Sequence, residues 1–245
     1  MGMFDEIGRQ NALDPIQGQT YYVDIAMLID ATGSMSPIIG EVKENAMAFC
    51  RKFHEAMESN GKNVEQLRVK VIPFRDYEFD GAMAMDDSGF FNLPEQNDDF
   101  RKFVSGIKAD GGGDEPESGL EAMALAMRSD WTSDGYKRRH VILVFSDASA
   151  HKLQDSKATA SKYYPEKMPR DLAELGDMWS GCSQVLQGMP EERAARLVLF
   201  TPNVQPWCDM TVWNNVWTAF SKAGQGLDEV DIDMAINLLV ASMSD

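Results

Sequence analysis

Three nearly unbroken apolar runs, each closed by an oxygen-bearing residue, constrain this sequence more than any other feature. Tyr21 to Ile29 ends at Asp30, His140 to Ser146 ends at Asp147, and Ala195 to Phe200 ends at Thr201-Pro202. A strand in a parallel sheet is covered on both faces, so it reads as a continuous apolar stretch and not as an alternation. A fourth run, Leu67 to Phe74, alternates more and leads into Arg75-Asp76. Its Pro73 removes a ladder donor, so that strand ends there or lies toward an edge. Gly89 to Leu93 is a candidate short edge strand.

Stretches with helical spacing separate these runs. Ile38, Ile39, Val42, Ala46, Phe49, Cys50, Phe53 and Met57 form one stripe; Phe100, Phe103, Val104 and Ile107 a second; Leu120, Met123, Ala124 and Met127 a third. Leu172 through Leu186 carries a fourth, and Val212, Trp213, Val216, Trp217 and Phe220 a fifth. Asp228 is placed to cap a last helix bearing Ile232, Ile236 and Leu239. Strand and helix therefore alternate. That pattern predicts a three-layer, doubly wound (Rossmann-like) α/β fold with a mainly parallel sheet and helices on both faces. The expected organisation is an N-terminal extension over 1–20 and a single domain over 21–245, a length suited to one large domain.

Composition excludes several classes of function. Lys and Arg total 23 against 39 Asp and Glu, a formal charge of −16. Such a surface repels nucleic acid and anionic membranes. No window reaches the ~20 apolar residues of a spanning helix, and Met1 to Thr20 lacks the basic and apolar regions of a signal peptide. The three cysteines, Cys50, Cys182 and Cys208, are odd in number and widely spaced. They point to a reducing compartment, so a cytoplasmic location is expected.

Ligands of open α/β sheets bind beyond the carboxyl ends of the strands, and there the sequence places oxygen donors. Asp30-Ala31-Thr32-Gly33-Ser34 follows the first strand, Asp147 the central one, and Asp110 to Ser118 precedes a helix. Two hydroxyls spaced two apart beside a carboxylate can point into one cavity if the chain turns at Gly33. Carboxylate and hydroxyl oxygens are hard ligands, suited to Mg²⁺, Mn²⁺ or Ca²⁺ and not to zinc. Taken alone, the same residues serve equally as caps for the following helix.

The Asp30-Ala31-Thr32-Gly33-Ser34-Met35 loop resembles the DxSxS motif of von Willebrand factor A domains, with Thr32 where Ser is usual. Asp147 falls where that family has its third-loop Asp. Gly112-Gly113-Asp114 resembles the loop that presents a Thr, with Asp114 at the Thr position. Gly111 to Ser118 and Phe74-Arg75-Asp76-Tyr77 resemble an intracellular branch that includes domains linked to atypical kinases. The resemblance implies a metal-ion-dependent adhesion site in which Thr32 and Ser34 bind the ion directly, while Asp30 and Asp147 hold it and its waters. Asp114 is a further candidate ligand; its charge would tighten cation binding and weaken the pull on an acidic ligand. Mg²⁺ is the expected ion, with Mn²⁺ and Ca²⁺ as alternatives. The implied partner is a protein, which in this family often supplies a carboxylate to the metal.

Enzyme signatures are weaker. A haloacid-dehalogenase-type site needs a carboxylate where Thr32 stands, and the P-loop, the Rossmann glycine fingerprint after the first strand and GxSxG are missing. The expectation is therefore a metal-dependent interaction domain within a multi-protein complex, and not an enzyme. Alternatives are a metal-assisted hydrolase or phosphotransferase, and a scaffold whose metal only fixes the loops. His151 is expected to be a solvent-exposed loop histidine, and Trp207, Trp213 and Trp217 core residues.

Overall fold

The computed structural model describes residues 19–113, 115–219 and 232–243. One six-stranded sheet organises them. Its strands are β1 (Gln19–Asp30), β2 (Lys62–Phe74), β3 (Phe90–Leu93), β4 (Lys137–Phe145), β5 (Ala195–Phe200) and β6 (Val216–Thr218), in the order β3-β2-β1-β4-β5-β6. All pairings are parallel except that of β3, which runs antiparallel on β2 at the edge. The fold class is the one the apolar runs require. Pro73 sits one residue before β2 ends, and Gly89 to Leu93 contains the edge strand.

Alternation along β1 divides the core. Val23, Ile25, Met27 and Ile29 face one layer, which is built from α1 (Ile39–Ser59), α2 (Asn97–Gly106) and α5 (Ile232–Ser242). Ala26 and Leu28 face the other, built from α3 (Gly119–Met127) and α4 (Leu172–Trp179). Short α3 is buried almost all round, from Leu120 to Met127. α1 instead buries one stripe, Val42, Ala46, Phe49, Cys50, Phe53 and Met57, as its spacing predicts.

Two expected helices differ. The fourth stripe stops at Trp179, because Gly181 takes a left-handed φ of +69° and its N–H bonds back to the Met178 carbonyl. Cys182, Val185 and Leu186 lie beyond the helix, and Val185 is exposed. The fifth stripe is not an α-helix. Trp207–Val212 forms a 3₁₀ segment, and Val216–Thr218 is the edge strand β6, paired with Leu197 to Leu199. On α5, Ile236 and Leu239 are buried as expected, while Phe220 and Asp228 lie outside the described residues. Trp207 is fully buried, as a core residue should be.

β2 and β4 flank β1, and the connections leaving β1 and β4 depart to opposite sides of the sheet. The crevice at their carboxyl ends is where such sheets hold ligands. Register places Ile29 beside Phe145, so Asp30 emerges next to Ser146 and Asp147.

Candidate metal centre

Asp30, the last residue of β1, is completely buried. One carboxylate oxygen accepts the Thr32 N–H at 3.0 Å and the Thr32 hydroxyl at 2.6 Å. The other accepts the Ser146 hydroxyl at 2.7 Å. Thr32 Oγ1 lies 3.1 Å from Ser34 Oγ, which donates to Asp147 Oδ1 at 3.0 Å. A continuous chain of oxygen atoms thus runs from the end of β4 through the first loop to Asp147. Burial pushes the Asp30 carboxyl up to about 6, opposed by its hydrogen bonds from Ser146 and Thr32. Burial also raises Asp147, against the Ser34 hydroxyl that stabilises its charge.

Backbone ties hold the loops together. Ala31 N–H bonds to the Phe74 carbonyl, Asp110 N–H to Ala31 and Gly33 N–H to Gly111. Arg75, which follows β2, donates to the carbonyls of Ala31, Asp110, Met83 and Lys108 at 2.7–3.0 Å. Its role is to orient the loops by bonding to their carbonyls, not to pair with its neighbour Asp76. Asp80 accepts the N–H groups of Gly112 and Asp76. Gly111 has φ +74°, and a Cβ there would stand 1.9 Å from Asp80 Oδ1. The glycine run is required by this close approach.

Thr32, Ser34, Gly112, Glu115, Glu117 and Asp147 are among the residues lining a cavity of about 340 Å³ at this point. Four of the five sequence-predicted residues, Asp30, Thr32, Ser34 and Asp147, come together; Asp30 stands behind the lining and supports Thr32. Asp114 lies outside the described residues, although Gly113 beside it lines the cavity.

Glu117 was missed by sequence reasoning. It pairs in parallel with Ala150; its N–H bonds to the Ser149 carbonyl and its own carbonyl accepts from His151 N–H. The residue is 5% exposed, and its Oε2 is buried without a hydrogen-bond partner. Burial, reinforced by Asp30, Asp76, Asp80 and Asp147, pushes it up to about 9. Its only signal in the sequence was its position in the acidic stretch before α3.

His151 is not a solvent-exposed loop residue. Its side chain is 13% exposed and its Nε2 is 3.2 Å from Asp76 Oδ2. The hydrogen bond to that buried carboxylate raises the imidazole's affinity for its proton. Close by, fully buried Glu121 accepts the Tyr164 hydroxyl at 2.9 Å, and burial pushes it up to about 7.

The donor set around the cavity is all oxygen, from hydroxyls and carboxylates, and fits a hard divalent cation. The family model for the von Willebrand factor A domain matches residues 24–166. The alpha-protein kinase vwkA of Dictyostelium discoideum is 27% identical over 129 residues, covering 53% of this chain and 19% of that protein. Among solved structures, a von Willebrand factor type A protein from Catenulispora acidiphila superposes with a TM-score of 0.52 at 13% identity, over 91% of this chain and 43% of that one. The chain thus spans about a fifth of the curated relative and under half of the solved one.

Proposed function

The chain belongs to the von Willebrand factor A domain family, a protein-interaction fold, and from that premise we propose that it engages a protein partner through a divalent cation held at the carboxyl ends of β1 and β4. The observation that carries this reading is the oxygen chain Ser146–Asp30–Thr32–Ser34–Asp147, which meets the cavity at Thr32, Ser34 and Asp147. Thr32 and Ser34 would give hydroxyl oxygens to the ion. Asp147 would give a carboxylate or hold a coordinated water, and Asp30 would fix Thr32 from behind. The ion would supply positive charge that draws an oxygen of the partner into its remaining position. Mg²⁺ suits such a site, because it retains several waters and takes few protein ligands.

The role is binding and not catalysis. The match to a segment making up 19% of a longer kinase supports a module that serves other activities. All three cysteines are free, with Cys182 exposed, which supports a cytoplasmic setting. Among the described residues no helix is long and apolar enough to cross a membrane.

Calorimetric titration of Mg²⁺ and Mn²⁺ into chelator-treated protein tests the reading. Saturable binding is expected for the wild type, with loss in folded Asp30→Ala and Ser34→Ala variants. Absence of binding at millimolar ion, or equal binding by Ser34→Ala, refutes it.

A further inference from the structure

We propose that the amino-terminal half of β2 is a second docking edge, which takes an extended, basic and apolar peptide segment of a partner protein. This surface is independent of the cation. The stretch from Gln66 to Phe74 separates it from the cation loops by about 26 Å of strand. β1 pairs with β2 along its whole length, from Lys62 to Phe74, but β3 covers the other side only from Leu67 to Lys70. β3 stops there because the chain turns into α2. Gln96 N–H bonds to the Asn92 carbonyl, Gln96 Oε1 accepts Asn92 N–H at 2.8 Å, and Asn97 N–H bonds to the Pro94 carbonyl. Among the described residues, no strand pairs with the outer edge of Asn63 to Gln66. Such an edge offers backbone donors and acceptors to an incoming strand.

Beside this edge lies a cavity of about 900 Å³, between α1 and the turn from β3 into α2. Met47, Cys50, Val64, Leu67 and Leu93 supply its apolar surface. Alternate side chains of an added strand would fall toward it. Gln66 lines the same cavity, and its Oε1 is buried without a donor, an acceptor that a peptide N–H would satisfy.

Charge selects the occupant. At the rim Glu55 is paired with Arg51 and His54 with Glu58, whereas exposed Glu65 and Glu95 have no partner among the described residues. The whole chain carries −16. A segment with Lys or Arg between its apolar residues is the complement of this rim. Tyr21 pairs with Val64 and Tyr22 with Gln66, so Glu65 is an extra residue that bulges β2. A charged bulge guards an edge against indiscriminate pairing. A second copy of this chain would bring another Glu65 to the same edge and be repelled; a basic strand would not.

Anisotropy of a fluorescein-labelled peptide of alternating Lys and Val, titrated with the full chain in chelator at about 0.15 M salt, tests this. Saturable binding is expected, with new hydrogen-exchange protection of the 63–66 amides. A Glu–Val peptide, and the variant Glu65→Lys/Glu95→Lys, should each bind at least ~10-fold more weakly. Both substituted side chains are exposed, so the fold is kept. Ser34→Ala should bind as the wild type does. Glu166→Lys/Asp177→Lys makes the same change of charge at exposed positions near α4, and should stay within about twofold. An equal loss in that control would mean general attraction to an acidic surface and overturn the proposal. So would binding without protection of 63–66, or no saturable binding. Self-association of the chain that Glu65→Lys/Glu95→Lys abolishes would give the edge to a second copy, and overturn the peptide as its occupant.

Discussion

Glu121 offers a quantitative test of how burial shapes this end of the molecule. Its carboxyl is fully buried on α3, accepts one hydrogen bond from Tyr164, and leaves Oε2 unpartnered. The proton that leaves an ordinary glutamate near 4.5 leaves this one near 7. Each pH unit is worth 1.36 kcal/mol, so the folded chain holds this proton about 3 kcal/mol more tightly than the unfolded chain does. The folded state binds more protons between those two values, so stability from this group is full below pH 4.5, declines as pH rises, and levels off above 7. Asp76 repels the carboxylate and the charged imidazole of His151 attracts it, so loss of the His151 proton, which the bond to Asp76 holds more tightly than usual, deepens the decline. Glu121→Gln keeps the acceptor for Tyr164 and mimics the protonated acid. The variant should match the wild type within about 1 kcal/mol at pH 5 and exceed it by about 3 kcal/mol at pH 8, or roughly 6–12 °C in Tm for a chain of this size. Scanning calorimetry in chelator, at half-unit steps from pH 5 to 8, measures the difference between the two curves. Asp30 and Glu117 contribute equally to both and cancel. Parallel curves would refute the reasoning.

Three further perturbations follow from the geometry. Gly111→Ala forces a Cβ to 1.9 Å from Asp80 Oδ1 at a φ of +74°; it should cost at least about 2 kcal/mol in urea unfolding and weaken Mg²⁺ binding. Thr32→Ser keeps the hydroxyl that bonds Asp30, and should bind Mg²⁺ within about threefold of the wild type, whereas Thr32→Val should lose binding while folding; equal calorimetric titrations of the two variants would contradict the role given to Oγ1. Asp24→Asn removes the charge that meets Arg68 at 2.6 and 2.8 Å and the Thr132 N–H at 2.6 Å. It should cost about 3 kcal/mol, read as a lower urea midpoint, without changing cation affinity.

The parts of the fold legible in the sequence were those set by local periodicity or by covered faces. Runs such as Val141 to Phe145 left no reading but a central strand, and Asp30 and Asp147 could be placed because each follows such a run. Errors arose where periodicity was short. Trp213, Val216 and Trp217 fit one helical turn and a half, yet Trp217 pairs with Val198 as an edge strand. Between Trp179 and Leu186 the apolar spacing continued past Gly181, and the stop signal lay in that glycine. Glu117 and His151 are a different case. The pairing of Glu117 with residues 149–151 and the contact of His151 with Asp76 are long-range, and no local pattern reports them.

The same loop geometry bears on the choice between a partner-binding site and a scaffold whose metal only fixes the loops. The first and second loops are already joined by Gly33 to Gly111 and Asp110 to Ala31, and Arg75 spans both from beneath. Trp207 Nε1 donates to the Ala148 carbonyl at 2.9 Å and anchors the third. Both oxygens of Asp30 are engaged by protein donors. Loops held this way need no ion to define them, in contrast to small metal domains that fold only on binding. A cation would then stabilise the chain by mass action alone, by about 2.7 kcal/mol at a hundredfold excess over Kd, and its coordination energy would remain available to an incoming ligand. That division of labour is what a partner-binding site requires, and it weighs against a purely loop-fixing metal.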